Sequence, residues 1–162
     1  MKAEATAEER LQHALELAFR YLGPRPRTEV EMARQLAGKG LDEETVEAAL
    51  AALREQGYLD DARFAREFTD DKRLLEEWGA ERIERRLLSL GVAPALVREV
   101  VGDRGRGGEA DAAQALLERR FPVLRDDPRE LRRAIGVLVR KGYDNELAWD
   151  LVRAHARGGG FD

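Results

Sequence analysis

Apolar residues recur at helical spacing along the whole chain. Leu11, Leu15, Ala18, Phe19 and Leu22 fall at three- and four-residue steps, which predicts an amphipathic helix over residues 7–22. Gly23-Pro24-Arg25-Pro26 stops it, since two prolines cannot continue the hydrogen-bond ladder. Thr28 and Glu31 then stand at capping-box spacing before a stripe of Met32, Ala33 and Leu36, and Gly38-Lys39-Gly40 ends that helix. Asp42 caps a third helix carrying Val46, Ala49, Leu50 and Leu53.

The run Gly57-Tyr58-Leu59-Asp60-Asp61 follows, with Phe64 and Ala65 behind it. Gly57 suits the left-handed position past a helix end, and Asp60 or Asp61 can cap the next first turn. Tyr58 and Leu59 predict a packed corner. A helix over 61–75 is expected to bury Phe64, Ala65 and Phe68, and Trp78-Gly79 breaks that helix. Ile83, Leu87 and Leu90 mark a helix over 80–90, and Pro94 opens another with Leu96, Val97, Val100 and Val101. The glycine-rich stretch 103–108 reads as a linker. From Glu109 a third round carries Ala112, Leu116 and Phe121, then Leu131, Ile135 and Leu138, then Leu147, Ala148 and Leu151. Residues 1–6 read as frayed and 158–162 as a disordered tail.

These rounds are in register. A shift of 51 residues takes Met32 to Ile83, Leu36 to Leu87, Gly40 to Gly91, Leu41 to Val92 and Val46 to Val97. A second shift reaches Leu138, Gly142, Tyr143 and Ala148. The period exceeds that of two-helix repeats, as a third helix requires. The expected fold is all-α: an elongated, curved array of three tandem three-helix repeats, about nine helices, with units at 7–58, 59–102 and 109–157.

Composition sharpens this picture. The 162 residues contain no cysteine, which excludes disulfides and thiolate metal sites. No apolar run is long enough to span a bilayer, and the first residues do not read as a secretory signal, so a cytoplasmic protein is expected. The net charge of −4 is uneven: residues 1–78 carry 12 basic and 18 acidic groups, whereas 79–142 carry 14 basic and 10 acidic. A basic middle suits a local polyanion or an acidic partner. The acidic total argues against avid sequence-independent DNA binding.

The arginines concentrate that basic character. At 100° per residue, Arg82, Arg85 and Arg86 lie opposite Ile83, Leu87 and Leu90. Arg129, Arg133 and Arg140 lie likewise opposite Leu131, Ile135 and Leu138. Two equivalent helices offering three arginines each suggest a binding surface rather than an ordinary solvated face, since arginine forks suit carboxylates and phosphates. Arg25, Arg27, Arg119, Arg120 and Lys141 are further candidates. The paired acids Asp60-Asp61, Asp70-Asp71 and Asp126-Asp127 read as caps and turns. His13 and His155 are far apart, and no nucleophile–base constellation stands out, so neither a metal, a cofactor nor catalysis is expected.

The corner Gly57-Tyr58-Leu59-Asp60-Asp61 with Phe64 and Ala65 resembles the signature run of the RecX family of recombination regulators. Arg27-Thr28, Glu31-Met32, Leu36, Lys39 and Gly40 are similar to the segment preceding it. Gly79, Ile83, Leu87 and Gly91 resemble the family's second repeat, and Leu138, Arg140, Gly142 and Tyr143 its third. The resemblance implies a non-enzymatic, monomeric helical-repeat protein that lodges in the groove of the RecA–single-stranded DNA filament, touching DNA weakly or through RecA. It also implies inhibition of ATP hydrolysis, strand exchange and filament extension. A DNA-binding module and a generic protein adaptor are the other readings. The corner itself reads as a joint between units one and two, acting on recognition only through their angle.

Overall fold

The computed structural model describes residues 3–158, which form nine α-helices and no strand. They are α1 (Ala7–Leu22), α2 (Glu29–Gly38), α3 (Glu43–Glu55), α4 (Asp61–Leu75), α5 (Ala80–Ser89), α6 (Pro94–Gly102), α7 (Gly105–Arg120), α8 (Pro128–Lys141) and α9 (Asn145–Ala156). Side chains start most of them. Thr6 and Thr28 each form a complete capping box, with Glu9 and Glu31. Asp42, Asp60, Asp127 and Asp144 accept the free amides of α3, α4, α8 and α9. Thr6 thus anchors a stretch expected to fray. Of the expected tail, residues 159–162 lie outside the described residues.

Three apolar cores follow the three units. The first joins Ala14, Ala18, Met32, Leu36, Leu50 and Leu53, and is closed by Leu59. The second gathers Ala65, Ile83, Leu87, Val92, Val97 and Val101. In the third, Leu116, Leu117, Ile135, Leu138, Ala148 and Val152 surround the buried Tyr143 ring. Each helix packs mainly on the other two of its own unit. The fold is therefore a tandem array of small, separately cored modules.

Three expectations need correction. The glycine-rich stretch is not a linker: α7 begins at Gly105, so only Asp103 and Arg104 separate it from α6. Glycine is a poor helix former, but Arg104 lies across Gly108 in the space a Cβ would need, and pairs with Glu109. This local cover, tied to the second unit where Glu109 accepts the Ala80 amide, overrides propensity here. Second, the corner is only half packed. Gly57 takes the expected left-handed conformation (φ 79°) and Leu59 is buried, but Tyr58 is 51% exposed and lies edge-on to the Phe19 ring. Third, Ala65 is buried as expected, whereas Phe64 and Phe68 are only partly buried at the edge of the second core.

Candidate functional site

Equivalent polar joints tie consecutive units together. In the first joint, Thr28 is fully buried; its hydroxyl accepts the Glu31 amide at 3.1 Å and donates to the Leu90 carbonyl at 2.5 Å. The Glu29 amide donates to Asp61 Oδ1 at 3.0 Å. Gly91 presses on Val30, where any Cβ would overlap that side chain. The second joint repeats this 51 residues on. Gly79 stands in the place of Thr28, and its amide donates to the Lys141 carbonyl at 2.7 Å. The Ala80 amide donates to Glu109 Oε1 at 2.6 Å, as Glu29 does to Asp61. The Glu81 amide reaches the Gly142 carbonyl at 3.0 Å. Side chains of the third unit complete it: Lys141 donates to the Glu76 carbonyl at 2.8 Å, and Arg119 pairs with Glu77. Glu77 is the one non-glycine residue among those described with positive φ, at 57°. Its turn is thus braced from the neighbouring unit.

Electrostatics differ between the joints. Burial pushes the Asp61 carboxyl above its ordinary range; the Glu29 amide opposes this, and Glu29, Asp60 and Glu31 reinforce it. Arg119 holds Glu77 below its ordinary range through its hydrogen bond. Burial alone would raise Glu31, but the Arg25 hydrogen bond and the Thr28 amide together bring it below.

The braced turn leads directly into Trp78, one wall of a groove of about 320 Å³. Phe64 and Phe68 stack at 6.0 Å, and Phe68 meets Trp78 edge-on at 6.2 Å. Lys72 Nζ lies 4.7 Å from the Trp78 ring centre, and the Arg82 guanidinium 4.1 Å from it. Pro26 and Leu90 close the end nearest the first joint. A continuation lined by Trp78, Arg82, Arg85, Arg86 and Ser89 runs along α5.

The structure sorts the arginines that the sequence grouped. Arg85 and Arg86 are exposed, and neither has a carboxylate at ion-pair distance among the described residues. Arg82 is not a free member of their face: it is half-buried, stacks on Trp78 and donates to the Arg140 carbonyl at 3.1 Å. Arg129, Arg133 and Arg140 are exposed on α8, with Arg133 5.7 Å above the Phe121 ring. Lys141 serves the second joint. Arg25 is paired with Glu31, and Arg27 donates to the Tyr21 carbonyl at 2.9 Å while stacking on its ring. Arg119 is likewise engaged, by Glu77, and Arg120 is exposed. Arg34 was missed, although the 51-residue shift maps it onto Arg85; it is exposed on α2. The groove was missed because Phe64, Phe68 and Trp78 have the spacing of core residues.

Comparisons with known proteins agree with this architecture. The RecX family models for the first, second and third three-helix domains match residues 14–53, 60–101 and 108–152. The regulatory protein RecX of Amycolatopsis mediterranei (strain U-32) is 32% identical over 157 residues, covering 96% of this chain and 90% of the relative. That of Deinococcus radiodurans is 34% identical over 150 residues, covering 91% and 71%. The crystal structure of RecX from Lactobacillus salivarius superposes with a TM-score of 0.77 at 16% identity, over 93% of this chain and 98% of that one. A crystal structure of regulatory protein RecX gives 0.74 at 21% identity, over 94% and 82%. Three domains matched in order, each with its own core, show that the chain belongs to the RecX family of regulatory proteins.

Proposed function

We propose that this protein regulates homologous recombination and DNA repair by binding the RecA–single-stranded DNA filament in its groove. There it inhibits ATP hydrolysis, strand exchange and filament extension. It acts in the cytoplasm as a monomer, without catalysis of its own, and reaches DNA weakly or through RecA. The observation that carries the reading is the ordered match of all three units to the RecX domains. The exposed guanidiniums of Arg85, Arg86, Arg129 and Arg133 support it, because arginine forks suit carboxylates and phosphates such as a filament of protein and DNA carries.

The test adds the protein to RecA on single-stranded DNA with ATP. Hydrolysis and strand exchange are expected to fall at equimolar protein; unchanged rates sink the reading. Arg85→Glu with Arg86→Glu should weaken inhibition while the helical circular-dichroism spectrum is kept. Arg82 stays out of this variant because it holds the second joint.

A further inference from the structure

The groove has features that neither the repeat architecture nor the joints require. Phe64, Phe68 and Trp78 are half-buried at the edge of the second core, where they line an open groove in the middle unit. Open grooves lined by aromatic rings and a few charged groups are a common form of docking site for amphipathic helices. The free carboxylates and free guanidiniums of this groove come from different helices, while Lys72 of α4 lies over the Phe68 and Trp78 rings and pairs with Glu76. Glu67 and Asp71, both exposed and one turn apart, come from α4. Arg86 faces the groove from α5, with Arg85 beside it in the continuation. None of the four forms an ion pair among the described residues. Arg25 at the end is already neutralised by Glu31.

We infer that this groove docks a protein segment, an amphipathic helix with an apolar stripe flanked by carboxylates on one side and by basic side chains on the other. The apolar stripe lies along the groove against Phe64, Phe68 and Trp78, whose contacts with one another stay in place. Its carboxylates meet Arg85 and Arg86, and its cations meet Glu67 and Asp71. Charge complementarity selects this occupant over a nucleic-acid strand. Bases could stack on the rings, but the phosphates of a strand lying along the groove would face Glu67 and Asp71. A small enclosed ligand fits less well, because the groove is open and continues along α5. Trp78 follows the braced turn at Glu77, so the third unit holds one wall in place before a partner arrives.

The test needs no recombinase, so its outcome is independent of filament binding. Trp149→Phe leaves Trp78 as the sole tryptophan, and its emission reports occupancy. Three helical peptides share one Leu/Phe stripe and differ in their flanks: mixed Glu and Lys, all Glu, or all Lys. Oligothymidylate is the fourth probe. The mixed peptide is expected to bind at least about tenfold more tightly than either single-sign peptide. Arg85→Glu/Arg86→Glu should shift preference to the all-Lys peptide, and Glu67→Lys/Asp71→Lys to the all-Glu peptide. All four positions are exposed, so circular dichroism should show the fold intact. Equal binding of the three peptides, no saturable binding, or displacement of the mixed peptide by oligothymidylate would overturn the inference.

Discussion

The two joints solve one packing problem with different chemistry. Both bring the start of one unit's second helix against the end of the next unit's second helix, and both use an acid from the following unit to accept the first helical amide. The first joint fills the gap with the Thr28 side chain. The second empties it: a Cβ on Gly79 would come within 2.6 Å of the Gly142 backbone. Their acids differ too. Glu109 has the Arg104 guanidinium beside it, whereas Asp61 has three acidic neighbours and the cation near it, Arg54, is paired with Glu29 instead, so burial dominates. A joint made by close backbone approach tolerates no side chain. A joint made by a hydroxyl tolerates shape but not loss of the hydrogen bond.

Exchanging the solutions should break the second joint hardest. Gly79 has ordinary negative φ (−82°), so Gly79→Thr adds no backbone strain and tests space alone. It should destabilise by about 1–3 kcal/mol or more, since backbone rather than a flexible side chain must move. Thermal unfolding measures this, and an unchanged Tm would show that the close approach is dispensable. Thr28→Val keeps shape in the first joint but removes the cap and leaves the Leu90 carbonyl without its donor. A loss of about 2 kcal/mol is expected in urea unfolding. Loss well below that of Gly79→Thr would sharpen the contrast between the two joints.

Removing charge from the two acids should act in opposite directions, with the smallest effects. Glu109→Gln weakens the contact with Arg104 and should lower stability by about 1–2 kcal/mol at neutral pH. Asp61→Asn keeps an oxygen for the Glu29 amide and removes a carboxylate that burial disfavours. Because the folded state raises the Asp61 pKa, its carboxyl favours folding below the unfolded value and loses that contribution as pH rises through the folded value. The variant should therefore gain on the wild type between acidic and neutral pH, by a small shift in Tm. A variant that loses ground over that range would contradict the assignment. Glu77 has the reverse dependence. Its pKa is lowered, so its contribution is present above the ordinary carboxylate range and fades as pH falls through the folded value.

Much of the fold was legible because it is local. Helix period, Thr28 with Glu31, and the aspartates at Asp42, Asp60 and Asp127 are read within a few residues, and the 51-residue register exposes the repeat. Site residues were less legible because guanidiniums are long and their partners lie far away in sequence. Arg82 and Arg85 look alike on a helical wheel, yet one reaches the third unit and the other reaches solvent. Phe64 and Phe68 have core spacing, but whether a neighbouring helix covers them is a tertiary matter. Gly105 to Gly108 read as a linker because of glycine's low helix propensity, whereas the local Arg104–Glu109 pair and the Ala80 amide bound by Glu109 hold this turn helical.

By itself, then, the sequence determined the helices, their caps, the apolar stripes and the threefold repetition, since each depends on period and on neighbours within a turn. Only the tertiary structure decided which arginines remain free, which glycines admit a second backbone, and that three aromatic rings line a groove with free carboxylates on α4 and free guanidiniums on α5. Those properties depend on how consecutive units meet, through hydrogen bonds spanning roughly 30 to 65 residues of chain.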